Sequence, residues 1–330
     1  MYPEKRLELV HFQLTRNCNL RCSFCGQWGR KGFFSNAGGI DMGLDEWKRV
    51  IDSLIKYRKT TGIKPSVMLW GGEPLISPYF SEITKYLADN EFELGLITNG
   101  VFIDKFQEIL KRCFKKIYIS IDGPQDIHNN IRGKGVFQRV AQNINKIKGG
   151  SADIIIMTVL TEELLKRIDE LPTAFKSFAP SAVLLQDLIC MSKAEISDYS
   201  KWLKSRFGII ARDIYSWETQ LPENYEELKK AALRKLDSVN DGCNFIHMQH
   251  GAMALRDYCL SPFRHIHVAW NGNVLYCTDH YDFSAGNIRE NDLIDIFNNE
   301  ISEKFRYEIF NGNCASCNHC SWKNNKSFYL

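Results

Sequence analysis

Residues 9–25 read LVHFQLTRNCNLRCSFC, an apolar run followed at once by a loop with three cysteines. The run from Leu9 to Leu14 has the continuous apolar character of a strand that is buried on both faces, as in a parallel sheet. Cys18, Cys22 and Cys25 have the spacing C-x3-C-x2-C. Soft thiolate ligands select zinc, copper(I) or iron–sulfur clusters, and a structural zinc usually takes four ligands from spaced pairs. Three thiolates in one loop instead favour a cubane cluster that keeps one iron open.

The alternation of apolar strand and amphipathic helix continues to about residue 190. Helical spacing of apolar residues is clear between strands, for example at Trp47, Val50, Ile51 and Leu54. Strands and helices in alternation, joined by right-handed crossovers, predict an α/β fold with a parallel sheet, either open or closed into a barrel. The six strand-like runs are Leu9 to Leu14, Ser66 to Trp70, Phe92 to Thr98, Lys116 to Ile121, Asp153 to Leu160 and Ala182 to Ile189.

The pattern changes after residue 190. Polar helical segments come first, and then two short apolar runs, Ile266 to Ala269 and Val274 to Tyr276, flank an Asn-Gly pair. Asn-Gly between two such runs predicts a β-hairpin. We therefore divide the chain into an α/β domain at 1–190, a helical connector at 191–245 and a small cysteine-bearing domain at 246–330.

Composition narrows the class of protein. The chain has 330 residues, 44% hydrophobic and 25% charged, which are ordinary values for a folded protein. The net charge of +3 is scattered along the sequence and disfavours nucleic acid as a partner. The absence of a long apolar run and of signal-peptide features predicts a cytoplasmic protein with no membrane partner. Eleven cysteines in such a chain argue for metal or redox chemistry rather than disulfides.

Three further motifs fall at the ends of successive predicted strands. Gly71-Gly72-Glu73-Pro74 follows the second strand, Thr98-Asn99-Gly100 ends the third, and Ser120-Ile121-Asp122-Gly123 ends the fourth, with Arg132 beyond it. The carboxyl ends of parallel strands meet at one mouth of a barrel, so these motifs can share a site with the cysteine loop. Together with that loop, in which Phe24 gives C-x3-C-x-aromatic-C, they make the chain resemble the radical S-adenosylmethionine (SAM) superfamily.

The resemblance implies a partial, TIM-like (β/α)6 barrel and a [4Fe–4S] cluster on Cys18, Cys22 and Cys25 that binds SAM. It implies reductive cleavage of SAM to methionine and a 5′-deoxyadenosyl radical, which abstracts a hydrogen from the substrate. The expected SAM contacts are Phe24 near the adenine, Gly71 and Gly72 at close backbone approach, Glu73 at the ammonium group, Ser120 and Arg132 at the ribose and carboxylate, and Asn99 and Asp122 in the same set.

The late cysteines resemble the C-terminal auxiliary-cluster domain called SPASM, in the shortened form called twitch. Cys259, Cys277 and the run Cys314-Ala-Ser-Cys317-Asn-His-Cys320 carry this second resemblance. It implies one auxiliary [4Fe–4S] cluster held by Cys259, Cys277 and two of the last three cysteines, without deciding which of those three is spare. The alternative from the residues alone is a four-cysteine zinc knuckle, since C-x2-C is good zinc spacing.

Relatives with such domains commonly mature ribosomal peptides by oxidation, crosslinking or epimerisation, which is the expected function here. The alternatives are a twitch-type dehydrogenase or epimerase of an aminocyclitol or carbohydrate, and, from another class, a non-catalytic zinc-binding protein. The enzyme would take its electron from an external donor such as flavodoxin or ferredoxin. Because 17 residues precede Cys18, a leader-peptide-binding domain is expected, if needed, as a separate protein.

Three residues are candidates for substrate chemistry. Cys190 and Cys243 could donate a hydrogen to a substrate radical, as an epimerisation requires. Asp279 could be a base, because sulfatase-maturing relatives place an acid directly after the cysteine that corresponds to Cys277; here Thr278 intervenes. The histidines at 247, 250, 265 and 267 cluster before the auxiliary domain and receive no role.

Overall fold

A computed structural model describes residues 2–29, 31–36, 38–239, 242–248, 259–314 and 317. Its dominant feature is one ten-stranded sheet in the order β10-β9-β8-β1-β2-β3-β4-β5-β6-β7. The strands are β1 (Leu9–Gln13), β2 (Ser66–Trp70), β3 (Leu94–Thr98), β4 (Lys116–Ser120), β5 (Asp153–Leu160), β6 (Ala182–Asp187), β7 (Phe245–Met248), β8 (His265–Val268), β9 (Asn273–Leu275) and β10 (Gly286–Asn287).

The six strands predicted from apolar runs are β1 to β6, and they pair in parallel in chain order. This is the TIM-like partial barrel expected from the sequence. Two short strands extend it: β7 adds in parallel to β6, and β8 adds in parallel to β1. The predicted hairpin is also present, because β8 and β9 pair antiparallel around Gly272, whose φ of 87° suits glycine.

Helices cover the outer face of the sheet. They are α1 (Leu44–Thr61), α2 (Phe80–Asp89), α3 (Gln107–Cys113), α4 (Gln125–Arg132), α5 (Val136–Ile147), α6 (Glu162–Lys166), α7 (Leu171–Lys176), α8 (Lys193–Phe207), α9 (Tyr225–Val239), α10 (Ser261–Arg264), α11 (Leu293–Asn298) and α12 (Glu300–Phe310). Within the described ranges, no helix is both long and apolar enough to cross a membrane.

Local sequence explains where the main helices begin and end. At the start of α1 the Glu46 carboxylate accepts a 2.7 Å hydrogen bond from the Gly43 amide, and the helix ends at Gly62 with a φ of 73°. The start of α8 is a capping box, in which Ser192 and Glu195 satisfy each other's free amides.

Strand side chains alternate between two hydrophobic layers. Val10, Phe12 and Leu69 point outward into the large core beneath the helices, whereas Leu9 and Met68 belong to a separate cluster inside the curved sheet. Because side chains along each strand alternate between these two layers, they fill the core on both faces of the sheet. The site forms where the strands stop, at their carboxyl ends.

The C-terminal residues pack onto the same body. Arg306, which is fully buried, donates hydrogen bonds to the carbonyl oxygens of Pro262 (2.7 Å) and Phe297 (2.7 Å) and to the Tyr276 hydroxyl (3.0 Å). A buried guanidinium is costly unless its donors are satisfied, and here they tie α10, α11 and α12 together.

Candidate active site and auxiliary metal centre

The three-cysteine loop leaves the carboxyl end of β1. The Leu20 amide lies 3.4 Å from the Cys18 sulfur, and the Trp28 amide lies 3.4 Å from the Cys25 sulfur. Such N–H···S contacts favour the thiolate, but burial raises the pKa of Cys18 to about 11 and also raises that of Cys22. A bound cationic metal would offset this cost, because metal coordination deprotonates a thiol. The loop therefore fits an iron–sulfur cluster by its donor set.

The Gly71-Gly72 turn packs against the backbone of this loop. The Gly72 amide donates to the Thr15 carbonyl at 2.9 Å, and the Glu73 amide donates to the Asn17 carbonyl at 2.8 Å. A Cβ on Gly71 would lie 2.5 Å from the Thr15 carbonyl oxygen, and one on Gly72 would lie closer still to backbone oxygens of the loop. The two glycines are thus required for β2 to support the cysteine loop.

Glu73 lies behind the cavity rather than at its wall. Its fully buried carboxylate accepts hydrogen bonds from the Thr98 hydroxyl (2.7 Å) and from the amides of Asn99 (2.8 Å) and Leu75 (3.1 Å). Burial raises the pKa of Glu73 to about 7, against the effect of these donors. The carboxylate thus joins the ends of β2 and β3 through these donors, and its contact with the SAM ammonium stays a prediction.

Asn99 connects the end of β3 to the cysteine loop. Its amide nitrogen donates to the Asn19 side-chain oxygen at 2.9 Å and lies 3.9 Å from the Cys18 sulfur. Its side-chain oxygen accepts from the Val101 amide at 3.0 Å. The side chain is therefore held from both ends at the cavity wall.

Arg132 and Asp122 form a buried ion pair at the ends of α4 and β4. The Arg132 Nε lies 2.5 Å from an Asp122 oxygen, with side-chain exposures of 10% and 0%. Burial alone would lower the pKa of Arg132, but Asp122 and the nearby thiols raise it. Asp122 also accepts from the Val159 amide at 3.3 Å. Asp122 thus holds the guanidinium through its Nε and Nη2 atoms, and Arg132 lines the cavity with a fixed positive charge.

These residues surround a cavity of about 300 Å³ at the mouth of the barrel. Glu73 and Asp122 stand behind its wall. The sequence-predicted residues that line it are Cys18, Cys22, Phe24, Cys25, Gly71, Gly72, Asn99, Ser120 and Arg132.

Trp217, which the sequence did not single out, forms part of the cavity wall. Its indole N–H donates to the Asp279 carbonyl at 2.9 Å, and its ring leaves no room for a Cβ on Gly26. Trp217 ends a 3-10 helix, Asp213–Trp217, whose first amides donate to the Asp282 carboxylate. A single aromatic side chain therefore joins the cysteine loop to the loop after Cys277.

Asp187, at the end of β6, is a second wall residue that the sequence reading missed. One carboxylate oxygen lies 2.9 Å from the Lys229 ammonium and the other lies 2.9 Å from Nε2 of His247. Burial acts to raise the pKa of Asp187, but these two partners lower it to about 2. The group is therefore an anion held in place at the cavity. The rule that places polar residues at strand ends could have identified it.

The three candidates for substrate chemistry do not reach this cavity. Cys190 lies beyond the lining residue Ile189, and Cys243 precedes β7, next to the start of β6. Since β7 runs parallel to β6, Cys243 is at the end of the barrel opposite the mouth, and its role as a donor stays a prediction that this placement disfavours. Asp279 is buried behind Trp217, and burial raises its pKa.

A second group of metal ligands gathers near the C-terminus. A ring nitrogen of His280 and the sulfurs of Cys314 and Cys317 all lie within 4.8 Å of one another. The Cys259 and Cys277 sulfurs each accept a backbone amide at 3.4 Å, from Ser261 and Asp279 respectively. The predicted ligand Cys320 lies outside the described residues, as does His250. His280 was missed, although C-x2-H from Cys277 is a recognisable ligand spacing.

Comparisons with known proteins agree with both centres. The profile of the radical SAM superfamily matches residues 12–172, and that of the SPASM iron–sulfur cluster-binding domain matches residues 259–321. Over 323 residues the chain is 25% identical to the AdoMet-dependent heme synthase of Methanosarcina barkeri, covering 94% of this chain and 88% of that protein.

Two solved structures share the fold. Native anSMEcpe with bound AdoMet aligns with a TM-score of 0.64 at 16% identity, over 98% of this chain and 93% of that chain. SuiB of Streptococcus suis bound to the precursor peptide SuiA aligns with a TM-score of 0.62 at 15% identity, over 91% of this chain and 66% of that chain. At these identities the likeness establishes the fold alone.

Proposed function

We propose, from the premise that this chain belongs to the radical SAM superfamily and carries a C-terminal SPASM iron–sulfur domain, that it removes hydrogen from its substrate and releases an oxidised product. When bound, the [4Fe–4S] clusters and SAM supply one-electron cleavage of the sulfonium, a 5′-deoxyadenosyl radical that takes a hydrogen atom, and an acceptor for the electron left on the substrate. The first electron comes from an external donor such as flavodoxin or ferredoxin.

The placement of the thiols supports oxidation over epimerisation. An epimerisation needs a hydrogen donor beside the substrate radical. Among the residues that the structure describes, Cys18, Cys22 and Cys25 are the thiols that line the cavity, and all three belong to the proposed cluster. Neither Cys190 nor Cys243 lines it. This distribution is the observation that carries the proposal.

The residues of the cavity bind and orient rather than react. Arg132 offers a fixed guanidinium edge to a carboxylate, which fits the amino-acid end of SAM. Gly71 and Gly72 bring backbone close to that end. Asp187, ionised and braced by two partners, accepts hydrogen bonds from a hydroxyl or ammonium group of the substrate. Trp217 helps to exclude water from the reacting centre.

We propose a peptide as the substrate, supported by the shared fold with a structure that holds a precursor peptide. Recognition of the peptide would use the connector, residues 191–245, and, where needed, a separate leader-peptide-binding protein. A second candidate is a tetrapyrrole, because the heme synthase of M. barkeri matches 94% of this chain.

The test begins with anaerobically reconstituted protein and a variant with all three cluster cysteines, Cys18, Cys22 and Cys25, changed to Ala. Two cubanes predict about eight irons per chain in the wild type and about four in the variant. Zinc with little iron would contradict the proposal and favour a structural metal protein.

The loaded enzyme is then given dithionite, SAM and deuterated substrates, namely a precursor peptide, an iron-free tetrapyrrole and an aminocyclitol. We expect deuterium in 5′-deoxyadenosine from the deuterated peptide and, from the unlabelled peptide, a product two mass units lighter. An isotope exchange from heavy water without loss of mass would indicate epimerisation and overturn the oxidation. Turnover of the tetrapyrrole alone would replace the peptide by the second candidate.

A further inference from the structure

The auxiliary centre contains a histidine where the sequence resemblance supplies only cysteines. The His280 ring nitrogen lies within 4.8 Å of both the Cys314 and the Cys317 sulfur. Over the ranges that the structure describes, this is the one group of three or more His, Cys, Asp or Glu side chains whose ligand atoms approach one another this closely. The imidazole nitrogen is therefore part of the same group of possible ligand atoms as the two sulfurs.

The surroundings hold the ring in this position. His280 and Cys314 are both buried, with exposures of 5% and 3%. The Tyr199 ring packs on the imidazole with a centroid separation of 4.7 Å. Tyr199 comes from α8, outside the matched cluster-binding domain, and its phenol lies within electrostatic reach of Cys277, Cys314 and Cys317. One aromatic side chain thus packs against the histidine and faces the thiols of the same centre.

The sequence offers two short-spaced pairs of possible ligands. Cys277 and His280 are separated by two residues, as are Cys314 and Cys317, so the centre has the pattern C-x2-H and C-x2-C. Two short-spaced pairs from separate segments are the usual way in which proteins build a four-ligand metal centre.

We propose that His280 is a ligand of the auxiliary [4Fe–4S] cluster, bonded through a ring nitrogen beside Cys314 and Cys317. The inference rests on the proposed function, in which that cluster exists. Since a cubane takes four protein ligands, one position is left among the Cys259, Cys277 and Cys320 thiols, and the other two are spare. A neutral imidazole in place of a thiolate raises the reduction potential of an iron–sulfur cluster. The ligand would make the cluster a better acceptor for the electron removed from the substrate.

The experiment uses the full chain with Cys18, Cys22 and Cys25 changed to Ala, so that the auxiliary cluster is the one observed. The protein is labelled with ¹⁵N-histidine, reduced, and measured by pulsed electron paramagnetic resonance. We expect a strong nitrogen coupling that changes with the isotope. It should be absent in His280→Ala and His280→Cys. The His280→Cys variant should keep about four irons and show a lower midpoint potential.

A matched control is His319→Ala, which changes the other histidine of the C-terminal cysteine region. The nitrogen coupling should persist in this variant. Four irons with no histidine coupling, or a coupling that survives in His280→Ala, would overturn the ligand assignment and leave the auxiliary cluster intact. A loss of all iron from the triple-alanine protein would instead overturn the auxiliary cluster itself. Because His280→Cys can load a cluster with four thiolates, a failure of His280→Ala to load does not decide the outcome.

Discussion

Two Asp–Arg pairs at the ends of α4 allow a prediction about how burial changes the contribution of an ion pair to stability, because the exposed pair is a control for the buried one. Asp122 and Arg132 are 2.5 Å apart with side-chain exposures of 0% and 10%, whereas Asp126 and Arg167 are 2.5 Å apart with exposures of 59% and 35%. The distances and residue types match, so the pairs differ mainly in burial; Arg167 also keeps the Glu170 carboxylate at 2.7 Å, which further reduces the expected effect of losing Asp126.

Asp122→Asn should strongly destabilise the protein, since it leaves a buried guanidinium without its anion. Breaking a buried pair in this way costs about 3–5 kcal/mol, while losing an exposed pair costs about 0–1 kcal/mol. At about 2 °C per kcal/mol for a chain of this size, Asp122→Asn should lower the melting temperature by roughly 6–10 °C and Asp126→Asn by at most about 2 °C.

Anaerobic thermal unfolding of both loaded variants, followed by circular dichroism, measures these shifts. Calorimetry of SAM binding provides a second readout, because Arg132 should lose its fixed orientation. A charge-assisted contact is worth about 1.5–3 kcal/mol, so the dissociation constant should rise roughly 10- to 150-fold in Asp122→Asn and stay unchanged in Asp126→Asn. Equal melting shifts in the two variants, or wild-type SAM affinity in Asp122→Asn, would refute the reasoning.

Four further predictions concern the cavity and the residues behind its wall. Gly72→Ala should lower the iron content by about four atoms per chain, because the added Cβ meets the backbone of the cysteine loop, whereas Gly38→Ala, with open space around it, should load fully. Burial raises the pKa of Glu73 from 4.5 to about 7, so the free energy of unfolding should fall by roughly 3 kcal/mol as the pH rises through that interval, and Glu73→Gln should flatten this dependence in denaturant titrations. The pKa of Asp187 is instead lowered from 3.8 to about 2, so Asp187 contributes roughly 2 kcal/mol to the free energy of unfolding above pH 4, and this contribution is lost as the pH falls through 2. Asp187→Asn should remove that amount at pH 7. An unchanged denaturation midpoint would contradict the ion pairs of Asp187 with Lys229 and His247. Trp217→Ala should open the cavity and increase 5′-deoxyadenosine formed without substrate turnover, measured by chromatography.

The first six strands could be predicted from the sequence because each is a segment of at least five residues rich in Val, Ile, Leu, Met or aromatic residues, a composition that burial on both faces favours. β7 could not, and neither could the pairing of β8 with β1, although β8 itself was expected as a strand of the hairpin. The two strands read FIHM and HIHV, only four residues each with a histidine inside, and their place in the sheet depends on partners distant in sequence. Short polar strands are specified by their neighbours rather than by their own pattern.

The features of the candidate site also divide into those that the sequence could predict and those that it could not. The cysteine loop and the strand-end motifs were found because spacing and strand position place them. Which way a side chain turns was not predictable: Glu73 faces inward to three donors, although the motif alone suggests a ligand contact. The position of Cys243 relative to the barrel could not be predicted because β7 was not foreseen, and the parallel pairing of β7 with β6 sets that position.

The pairing of β8 with β1 makes the C-terminal region part of the barrel wall. Four residues of β8, His265–Val268, lie in register with Leu9 to Phe12, on the strand that leads into the first cysteine loop. Excision of the C-terminal region would leave β1 as an unpaired edge strand, which can pair with a strand of another molecule. The C-terminal region therefore cannot be gained or lost in evolution as a detachable module without replacing a strand of the sheet. A protease cut that frees this region should disable the N-terminal cluster, 240 residues away in sequence, as well as the auxiliary cluster.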